Sequence, residues 1–399
     1  MKTIKNFNLK EKNILIRVDL NVPVFNGEIK EKSRIKIIKP TIKKLQKQKN
    51  KIFLISHFGR PRGQINKKYS LKFICPTLEK ELDIKKIFFL NSLNNKEIQK
   101  TINQMNYGDI CLLENIRFYP EEENNNLYFI KNLSKNFQVF VNDAFSASHR
   151  NHASIVGIPK FLPSFAGYSL IDEINNINFF INNPKKPNLA IIGGSKISTK
   201  INLLNNLTQS CDIIVIGGAM ANTFLYAQNI NIGKSLYEKK LSVVANSIIL
   251  KAQNFNCEII LPIDVVCAND LNDQSNIRQC DINNVFPNQM ILDIGPKTTK
   301  LISKKIFKSS MVLWNGPLGA FEHSPFEQSS VDIANFMKNN AKLLDISALA
   351  GGGDTISLIK LAKAQDGFSY ISKGGGAFLE WLEGNESPGV KALKENKFN

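Results

Sequence analysis

Two glycine-rich tracts of this chain contain the residue types that bind phosphate groups. In the first tract, an apolar run at 189–192 stops at Gly193 and Gly194, and Lys196 and Lys200 follow. Glycines let a backbone approach a ligand closely, and the first turn of a helix presents unpaired N–H groups. The tract therefore suits a phosphate site, although its spacing matches neither a Walker A loop nor GxGxxG. An ordinary turn between a strand and a helix would explain the same residues.

The second tract, Gly351-Gly-Gly-Asp-Thr355, repeats this design and carries Asp354 where the first tract has a lysine. A carboxylate beside a phosphate needs a cation between them, and Mg²⁺ with oxygen ligands is the natural choice. The simpler alternative is that Asp354 only caps the helix that follows. Together the two tracts supply the parts that hold a nucleotide–Mg²⁺ complex, with Asp354 as the candidate metal ligand.

A different group of polar residues follows the strand-like runs of the first half. It consists of Arg17, Asp19, Asn21, Arg34, His57, Arg60, Arg117, His149 and Arg150. In an open α/β sheet the carboxyl ends of the strands line the ligand crevice, and arginine forks bind carboxylate and phosphate oxygens bidentately. Each residue alone is explained as a surface, core or turn residue. Their shared position predicts a binding site for a small, multiply charged anion.

Strand-like and helix-like segments alternate along the chain, which predicts an α/β fold with two doubly wound, Rossmann-like parallel-sheet domains. The strand candidates are almost continuously apolar, as strands buried on both faces require. They lie at 13–18, 51–56, 109–113 and 138–142, and then at 188–192, 212–216, 258–261, 311–314 and 345–350. Pro40 interrupts the helical pattern from Ile35 to Leu45 and should kink or restart that helix.

A domain boundary is predicted near 167–187. Residues 161–167 have the composition of a loop, 168–182 that of one helix, and Asn182-Asn-Pro-Lys-Lys-Pro187 that of a linker. We therefore expect an N-terminal anion-binding domain at 1–167, a hinge helix and linker at 168–187, and a C-terminal nucleotide-binding domain at 188–384.

Composition excludes several classes of protein. The 399 residues are enough for two domains with full cores. No apolar run reaches the roughly 18–20 residues of a membrane span, and the first residues lack the apolar core of a signal peptide. The six cysteines are scattered without a CxxC pair, which is typical of reduced thiols in a cytoplasmic protein.

The formal net charge of +18 suggests a nucleic-acid partner, but we expect none. The excess consists of lysines spread along polar helix faces, and the aromatic and basic RNA-binding signatures are missing. The chain is rich in Asn, Lys and Ile, the residues of AT-rich codons, so the base composition of the genome would account for much of the charge.

An anion site in one domain and a Mg²⁺–nucleotide site in the other indicate a hinge-closing phosphotransferase. A kinase that acts on a hydroxyl needs a base such as that of the HRDxxxxN loop, and this chain has no equivalent. An ionised carboxylate acceptor needs no base. Two alternatives are a nucleotide-binding oxidoreductase, which would need GxGxxG after the first strand, and a basic protein that binds RNA or an acidic surface.

Ordered motifs run from one end of the chain to the other. They are Arg17-Val-Asp-Leu-Asn-Val-Pro23, Ser56-His-Phe-Gly-Arg-Pro61, Leu113-Glu-Asn-Ile-Arg-Phe118, Asn142-Asp-Ala-Phe145, Gly193-Gly-Ser-Lys-Ile-Ser-Thr-Lys200, Gly217-Gly-Ala-Met-Ala-Asn-Thr-Phe224, Leu292-Asp-Ile-Gly295, Trp314-Asn-Gly-Pro-Leu-Gly-Ala-Phe-Glu322, Gly351-Gly-Gly-Asp-Thr355 and Lys373-Gly-Gly-Gly-Ala-Phe-Leu-Glu380. In composition and order these motifs resemble the phosphoglycerate kinase family over essentially the whole chain.

The resemblance implies a cytoplasmic, monomeric, Mg²⁺-dependent enzyme of glycolysis that converts 1,3-bisphosphoglycerate and ADP into 3-phosphoglycerate and ATP. It implies that 3-phosphoglycerate is bound by Asp19, Leu20, Asn21, Arg34, His57, Phe58, Gly59, Arg60, Arg117, His149 and Arg150. It implies that the nucleotide is bound by Gly193, Lys200, Gly217, Gly295, Asn315, Pro317, Glu322, Gly352, Gly353, Asp354 and Thr355. The groups implied around the transferring phosphoryl group are Arg34, Lys196, Lys200 and Gly376.

By the same resemblance, the tail from about 385 to 399 should fold onto the N-terminal domain. Two segments depart from the family pattern. Ser146-Ala-Ser stands where Gly-Thr-Ala is commoner, and the segment at 168–173 is unusual before Glu173. We expect neither segment to contact a residue assigned to the chemistry.

Overall fold

The computed structural model describes residues 1–272 and 276–398, which form two compact units. Unit 1 comprises Met1–Asn175 and the C-terminal segment that begins at Glu386, and unit 2 comprises Asn176–Asn385. The division falls inside one helix, Tyr168–Asn182, so that helix contributes residues to both units.

The strand candidates from the sequence are confirmed, with small differences at their ends. The strands are β1 (Asn13–Arg17), β2 (Val24–Phe25), β3 (Glu28–Ile29), β4 (Lys51–Ile55), β5 (Phe88–Leu90), β6 (Ile110–Leu113), β7 (Val139–Asn142), β8 (Ser164–Ala166), β9 (Asn188–Ile192), β10 (Ile213–Ile216), β11 (Glu258–Ile260), β12 (Asp264–Ala268), β13 (Arg278–Asp281), β14 (Met290–Ile294), β15 (Met311–Asn315), β16 (Ser347–Ala350) and β17 (Tyr370–Ile371). The expected loop at 161–167 is wrong in part, because it contains β8.

The helices alternate with these strands. They are α1 (Ser33–Lys36), α2 (Lys39–Lys47), α3 (Cys75–Leu82), α4 (Asn95–Gln104), α5 (Pro120–Glu123), α6 (Leu127–Ser134), α7 (Tyr168–Asn182), α8 (Ile201–Ser210), α9 (Ala219–Ala227), α10 (Ser242–Asn254), α11 (Pro296–Phe307), α12 (Gln328–Asn340), α13 (Gly353–Leu361), α14 (Gly376–Leu382) and α15 (Pro388–Lys394). Pro40 lies in the first turn of α2 and separates it from α1, as its fixed φ and missing N–H predict.

Unit 1 is built on a parallel six-stranded sheet in the order β5-β6-β4-β1-β7-β8. Alternate side chains of a strand point to opposite faces, so Ile14 and Ile16 of β1 pack in one apolar cluster and Leu15 packs in another. Residues of α2 and α3 belong to the first cluster, and residues of α4 and α6 to the second. Helices therefore cover both faces, as a parallel sheet requires.

Unit 2 contains a second parallel six-stranded sheet, in the order β11-β10-β9-β15-β16-β17. It also contains a three-stranded antiparallel sheet in the order β13-β12-β14, which we did not predict from the sequence. The edge strand β13 alternates between half-buried and exposed positions, so its sequence lacks the mostly apolar run of its neighbours in this sheet, β12 and β14.

The first turn of α7 is fixed by a buried carboxylate. Asp143, which follows β7, accepts hydrogen bonds at Oδ1 from the N–H groups of Ser169 (2.8 Å) and Leu170 (3.2 Å). The Ser169 hydroxyl donates back to the carbonyl oxygen of Asp143 at 2.8 Å. This reciprocal cap ties the start of α7 to the carboxyl edge of the unit 1 sheet.

The C-terminal helix α15 packs within unit 1. The N–H of Gly389 donates to the carbonyl oxygen of Ser148 at 2.8 Å, and Val390 and Leu393 are buried. In the part of the chain that the structure describes, no helix has the length and apolar character needed to span a membrane.

Candidate active site

The carboxyl ends of neighbouring strands bring the predicted anion-binding residues of unit 1 to one edge of its sheet. Arg17, the last residue of β1, lies in register with Ile55 of β4 and Asn142 of β7. The loops that leave these three strands therefore start side by side. They carry Asp19, His57 and the segment at 143–150.

Arg34 is held at this edge by the loop that follows β1. Its Nη1 donates to Asp19 Oδ2 at 2.6 Å and to the carbonyl oxygen of Asn21 at 3.0 Å. The N–H of Asn21 donates to Asp19 Oδ1 at 3.0 Å, and Asn21 Oδ1 accepts from the N–H of Gly59 at 3.0 Å. The predicted residues Asp19, Asn21 and Arg34 thus form one hydrogen-bonded group.

Charge and burial act in opposite directions on Asp19. Burial would raise its pKa, but the positive charges of a protonated His57 and of Arg34 and the hydroxyl of Ser146 lower the pKa to about 2. Burial and the charge of Arg17 lower the pKa of His57 to about 3. Because His57 is then neutral at pH 7, Arg34, which forms an ion pair with Asp19, is the main cation that favours its ionised form there.

The loop after β4 is fixed by Arg117 and by a residue that we did not predict, Asn115. Nη1 of Arg117 donates to the carbonyl oxygen of Gly59 at 2.8 Å. Asn115 Nδ2 donates to the carbonyl oxygens of Phe58 (2.7 Å) and Tyr69 (2.9 Å), and its Oδ1 accepts from the N–H of Phe58 at 3.2 Å. The motif that suggested Arg117 contains Asn115, but only the fold reveals that this amide joins two loops.

Arg60 and Arg150 extend the same positive cluster. Arg60 is exposed, and Arg150 and His149 are half-buried. Burial and the charges of Arg60 and Arg34 lower the pKa of Arg150, while Asp19 opposes them. The positive charges of Arg34, Arg60 and Arg150 outnumber the single negative charge of Asp19 among them. The cluster can therefore attract a further anion.

The structure bears on two expectations about this edge. The side chain of Leu20 lies fully buried in the core cluster of unit 1 and its N–H donates to Ser56 Oγ at 2.9 Å, so its assignment to ligand binding stays a prediction. Ser146 was expected to contact no assigned residue, and that prediction is wrong because its hydroxyl donates a hydrogen bond to Asp19 Oδ2. Ser146 supplies a side-chain donor where glycine is commoner in the family pattern.

Lys200 is the central cation of the glycine-rich tracts in unit 2. Its Nζ donates to the carbonyl oxygen of Gly193 (2.6 Å), to Asn315 Oδ1 (2.6 Å) and to the carbonyl oxygen of Asn315 (3.1 Å). Burial lowers the pKa of Lys200 to about 8, although the charge of Asp354 opposes this. A buried ammonium held only by neutral oxygens is electrostatically suited to a nearby phosphate.

Asn315 connects the two glycine-rich tracts. Its Nδ2 donates to the carbonyl oxygen of Gly351 at 2.7 Å, and the N–H of Gly316 donates to Thr355 Oγ1 at 2.7 Å. The ends of β9, β15 and β16 are neighbours in the sheet, so Lys200 and the turn at 351–355 lie on either side of Asn315.

The glycines allow these loops to approach each other closely. A Cβ on Gly193 would collide with the carbonyl oxygen of Pro317, and Gly352 has a φ of +101° beside Asn315. Gly217 packs against Leu318 and Gly295 against Asp264. These contacts place Gly193, Gly217 and Pro317 together, and their assignment to nucleotide binding stays a prediction.

The helix that follows the first glycine-rich tract does not begin directly at Gly194. A 3₁₀ turn at Ile197–Thr199 intervenes, and α8 begins at Ile201. The helix that begins beside Gly194 is α9, because the N–H of Met220 donates to the carbonyl oxygen of Gly194 at 3.0 Å. In the second tract the helix begins within the glycines, since α13 begins at Gly353.

Several predicted residues of unit 2 remain at the surface. Lys196, Glu322, Gly353, Asp354 and Gly376 are exposed. The hydrogen bonds that hold Lys200 involve none of these side chains. Their assignment to ligand binding therefore stays a prediction.

The donor set of unit 2 fits a metal ion that arrives with a nucleotide. Asp354 is an exposed carboxylate in the first turn of α13. Within residues 1–272 and 276–398, no three carboxylate, histidine or cysteine side chains are grouped to hold a metal. Mg²⁺ is commonly held by one or two carboxylates together with phosphates and water, so Asp354 and a nucleotide would supply ligands together.

The model of the family described as phosphoglycerate kinase matches residues 4–385. The chain belongs to the phosphoglycerate kinase family. This assignment sets aside the oxidoreductase alternative, whose GxGxxG turn is absent from the loop after β1.

Relatives named phosphoglycerate kinase match nearly the whole chain. The protein from Chelativorans sp. (strain BNC1) is 43% identical over 384 residues, which cover 96% of each chain. The protein from Agrobacterium fabrum is 43% identical over 397 residues, or 99% of each chain.

Solved structures of phosphoglycerate kinases have the same fold. The Coxiella burnetii structure superposes with a TM-score of 0.89 at 36% identity over 98% of each chain. The Pyrococcus horikoshii structure gives a TM-score of 0.82 at 26% identity, over 99% of this chain and 98% of that one. The two doubly wound parallel-sheet domains predicted from the sequence are therefore confirmed.

Proposed function

We propose that this chain transfers a phosphoryl group reversibly from the acyl phosphate of 1,3-bisphosphoglycerate to ADP, giving 3-phosphoglycerate and ATP in glycolysis. The observation that carries the assignment of roles is that Lys200, Asn315 and Gly351 form one hydrogen-bonded chain across three adjacent strand ends. A second group with many cations, organised by Arg34 and Asp19, lies in unit 1.

Unit 1 is assigned the carboxylate substrate. Arg34, Arg60 and Arg150 are the cations that would meet the carboxylate and phosphate of 3-phosphoglycerate, with the bidentate geometry that guanidinium groups favour. Arg117 and Asn21 fix the Gly59 loop against which the ligand would lie. His57 would contribute a neutral N–H donor, since its low pKa prevents protonation at pH 7.

Unit 2 is assigned the nucleotide. Lys200 would exchange its carbonyl and amide acceptors for phosphate oxygens, and the first turn of α13 would present N–H groups and a positive dipole end to the phosphates. Asp354 would hold Mg²⁺, which supplies charge neutralisation to the phosphate oxygens when bound. Glu322 would accept the ribose hydroxyls.

No residue is assigned the role of general base. The acceptor oxygen of 3-phosphoglycerate belongs to a carboxylate that is already ionised at neutral pH, so the chain must only align it with the phosphoryl group and neutralise charge. Arg34, Lys200 and Lys196 are the cations proposed for that neutralisation. Donor and acceptor are assigned to different units, and the hinge closure expected from the sequence is the step proposed to align the two ligands.

The test measures ADP formation from ATP with purified protein, 3-phosphoglycerate and Mg²⁺, with each component omitted in turn. Turnover that requires ATP, 3-phosphoglycerate and Mg²⁺ supports the proposal. If a chelator abolishes turnover and added Mg²⁺ restores it, the metal assignment is supported as well. Titration of Arg34→Ala should show weakened 3-phosphoglycerate binding with unchanged Mg²⁺–ATP binding. The assignment of Arg34 would be contradicted if Arg34→Ala weakened the binding of both ligands equally. It would also be contradicted if the control variant Arg278→Ala weakened 3-phosphoglycerate binding to the same extent.

The monomeric state and the absence of a nucleic-acid partner remain part of this proposal. Retention on a polyanion at physiological ionic strength would instead favour a second role for the basic surface. Sedimentation at two protein concentrations tests the monomer.

A further inference from the structure

A buried arginine lies behind the anion site of unit 1. Arg17 is only 2% exposed, and all three guanidinium nitrogens have partners. Nη1 donates to the carbonyl oxygen of Val18, Nε donates to Ser154 Oγ at 3.1 Å, and Nη2 lies 3.0 Å from Nδ1 of His57. Nothing in the assigned mechanism uses this side chain.

The contact with His57 has one chemical meaning. A guanidinium group can only donate hydrogen bonds and stays protonated in proteins. Nδ1 of His57 must therefore accept, which leaves no proton on that nitrogen. A neutral imidazole carries its proton on one nitrogen, so the proton lies on Nε2.

The position of Arg17 is fixed from the opposite side. Ser154, which contacts Nε of Arg17, donates its hydroxyl to Glu122 Oε1 at 2.6 Å and its N–H to Glu122 Oε2 at 2.8 Å. Glu122 is fully buried, and burial raises its pKa while the charge of Arg17 and the hydrogen bonds from Ser154 lower it. The ionised form of Glu122 in turn favours the guanidinium of Arg17. The order Glu122, Ser154, Arg17, His57 thus forms one continuous buried network.

We infer that Arg17 is a positioning residue that fixes His57 as the neutral tautomer protonated at Nε2. His57 then presents one N–H donor to the anionic ligand, without taking up a proton when the ligand binds. The identity of that ligand as 3-phosphoglycerate rests on the proposed function, but the tautomer does not.

The charges around His57 determine what loss of Arg17 would do. Burial and the charges of Arg17, Arg150 and Arg34 disfavour the imidazolium form, and the charge of Asp19 favours it. If Arg17 is replaced by an uncharged side chain, Nδ1 becomes free to take a proton and one of the three repelling cations is lost. In such a variant we expect the pKa of His57 to rise toward its ordinary value of about 6.5.

Nitrogen NMR of the wild-type protein tests the tautomer directly. The chain has four histidines, and His57→Gln identifies the signals of His57. The expected result is a pyridine-like Nδ1 and a protonated Nε2 at pH 7, both unchanged down to about pH 5, where an ordinary histidine would be charged. A proton on Nδ1 at pH 7, or an imidazolium form at pH 6, would overturn the inference.

Three variants separate positioning from simple stability. Arg17→Met should give the imidazolium signal of His57 at a higher pH than the wild type does, and Ser154→Ala should shift His57 in the same direction by a smaller amount. Arg17→Lys, which keeps a cationic donor, should restore the wild-type His57 signals. If Arg17→Met does not fold, the wild-type spectrum and Ser154→Ala still decide. A folded Arg17→Met protein with wild-type His57 signals would overturn the inference.

Calorimetry with 3-phosphoglycerate in two buffers at pH 6.5 adds a functional measurement. Arg17→Met should take up more protons on binding than the wild type, because an anion favours the charged imidazole. An equal proton uptake would contradict the inference. If the wild-type protein gives the expected NMR signals but does not bind 3-phosphoglycerate, the proposed function is contradicted and the tautomer inference is not.

Discussion

Lys200→Met tests the assignment of the nucleotide site most sharply. Methionine is unbranched and similar in length to lysine, so it removes the charge and the hydrogen bonds while it keeps most of the volume. In the structure Lys200 Nζ donates to Gly193 O and Asn315 Oδ1 at 2.6 Å each. The substitution therefore removes the proposed phosphate contact and leaves these two acceptors without their cation.

Two opposing effects on stability follow from the structure. A buried acceptor without a partner costs about 1–3 kcal/mol. Burial of the ammonium, however, lowers the pKa of Lys200 from 10.5 to about 8, which corresponds to about 3 kcal/mol against the charged form. Because the two effects are similar in size, we expect the free energy of unfolding to change by no more than about 2 kcal/mol.

The effect on catalysis should be much larger. A preorganised donor to a developing charge is typically worth about 3–4 kcal/mol, or a loss of about 10²–10³ in kcat. The assay compares steady-state kcat with 3-phosphoglycerate and Mg²⁺–ATP against thermal unfolding, with the exposed Lys308→Met as the matched control. A folded Lys200→Met protein that loses less than about tenfold in kcat would refute the assigned role.

Three further outcomes are expected. First, kcat/KM for ATP should fall above about pH 8, because the pKa of Lys200 is lowered to about 8 and the free-enzyme pKa governs this parameter. Lys200→Arg, which stays charged, should move this fall to higher pH. An unchanged pH profile in Lys200→Arg would show that Lys200 is not its cause. Second, Gly193→Ala should reduce nucleotide affinity and cost about 1–3 kcal/mol of stability, because the new methyl would collide with the Pro317 carbonyl oxygen. Calorimetry measures the nucleotide affinity and urea unfolding measures the stability. Wild-type values of both would show that the loops can separate without cost. Third, burial raises the pKa of Asp143 from 3.8 to about 6, so this carboxyl contributes stability below about pH 4 that is lost as the pH rises through about 6. The loss is about 3 kcal/mol. The Asp143→Asn protein should therefore gain stability relative to the wild type from pH 4 to pH 7, as measured by urea unfolding. A difference in the free energy of unfolding that stays constant over this pH range would contradict the raised pKa.

The sheets were predictable because their signal is local. Strands buried on both faces need continuous apolar runs, and those runs are visible at 13–18 or 188–192 without any knowledge of their neighbours. Strand β13 was missed because an edge strand with one exposed face has a mixed composition. The polar residues after each apolar run were also predictable, since the carboxyl ends of parallel strands form ligand crevices.

The contacts among those polar residues were not predictable. The hydrogen bond between Lys200 and Asn315 joins residues 115 positions apart, and that between Arg17 and Ser154 joins residues 137 positions apart. Such pairings depend on strand order and register, which composition and spacing do not encode. The same reason explains why Ser146 looked remote from the chemistry although it contacts Asp19.

The sequence by itself therefore determined the two-domain parallel-sheet architecture, the family and the residue types available to bind two anionic ligands. Periodicity, glycines and ordered motifs are properties of neighbouring residues and survive in the linear chain. Only the tertiary structure decided which of these residues touch, that Asn115 and Asn315 join separate loops, and that Arg17 determines which nitrogen of His57 carries the proton. These depend on distances of about 3 Å between atoms far apart in sequence, which exist only once the strands have taken their register.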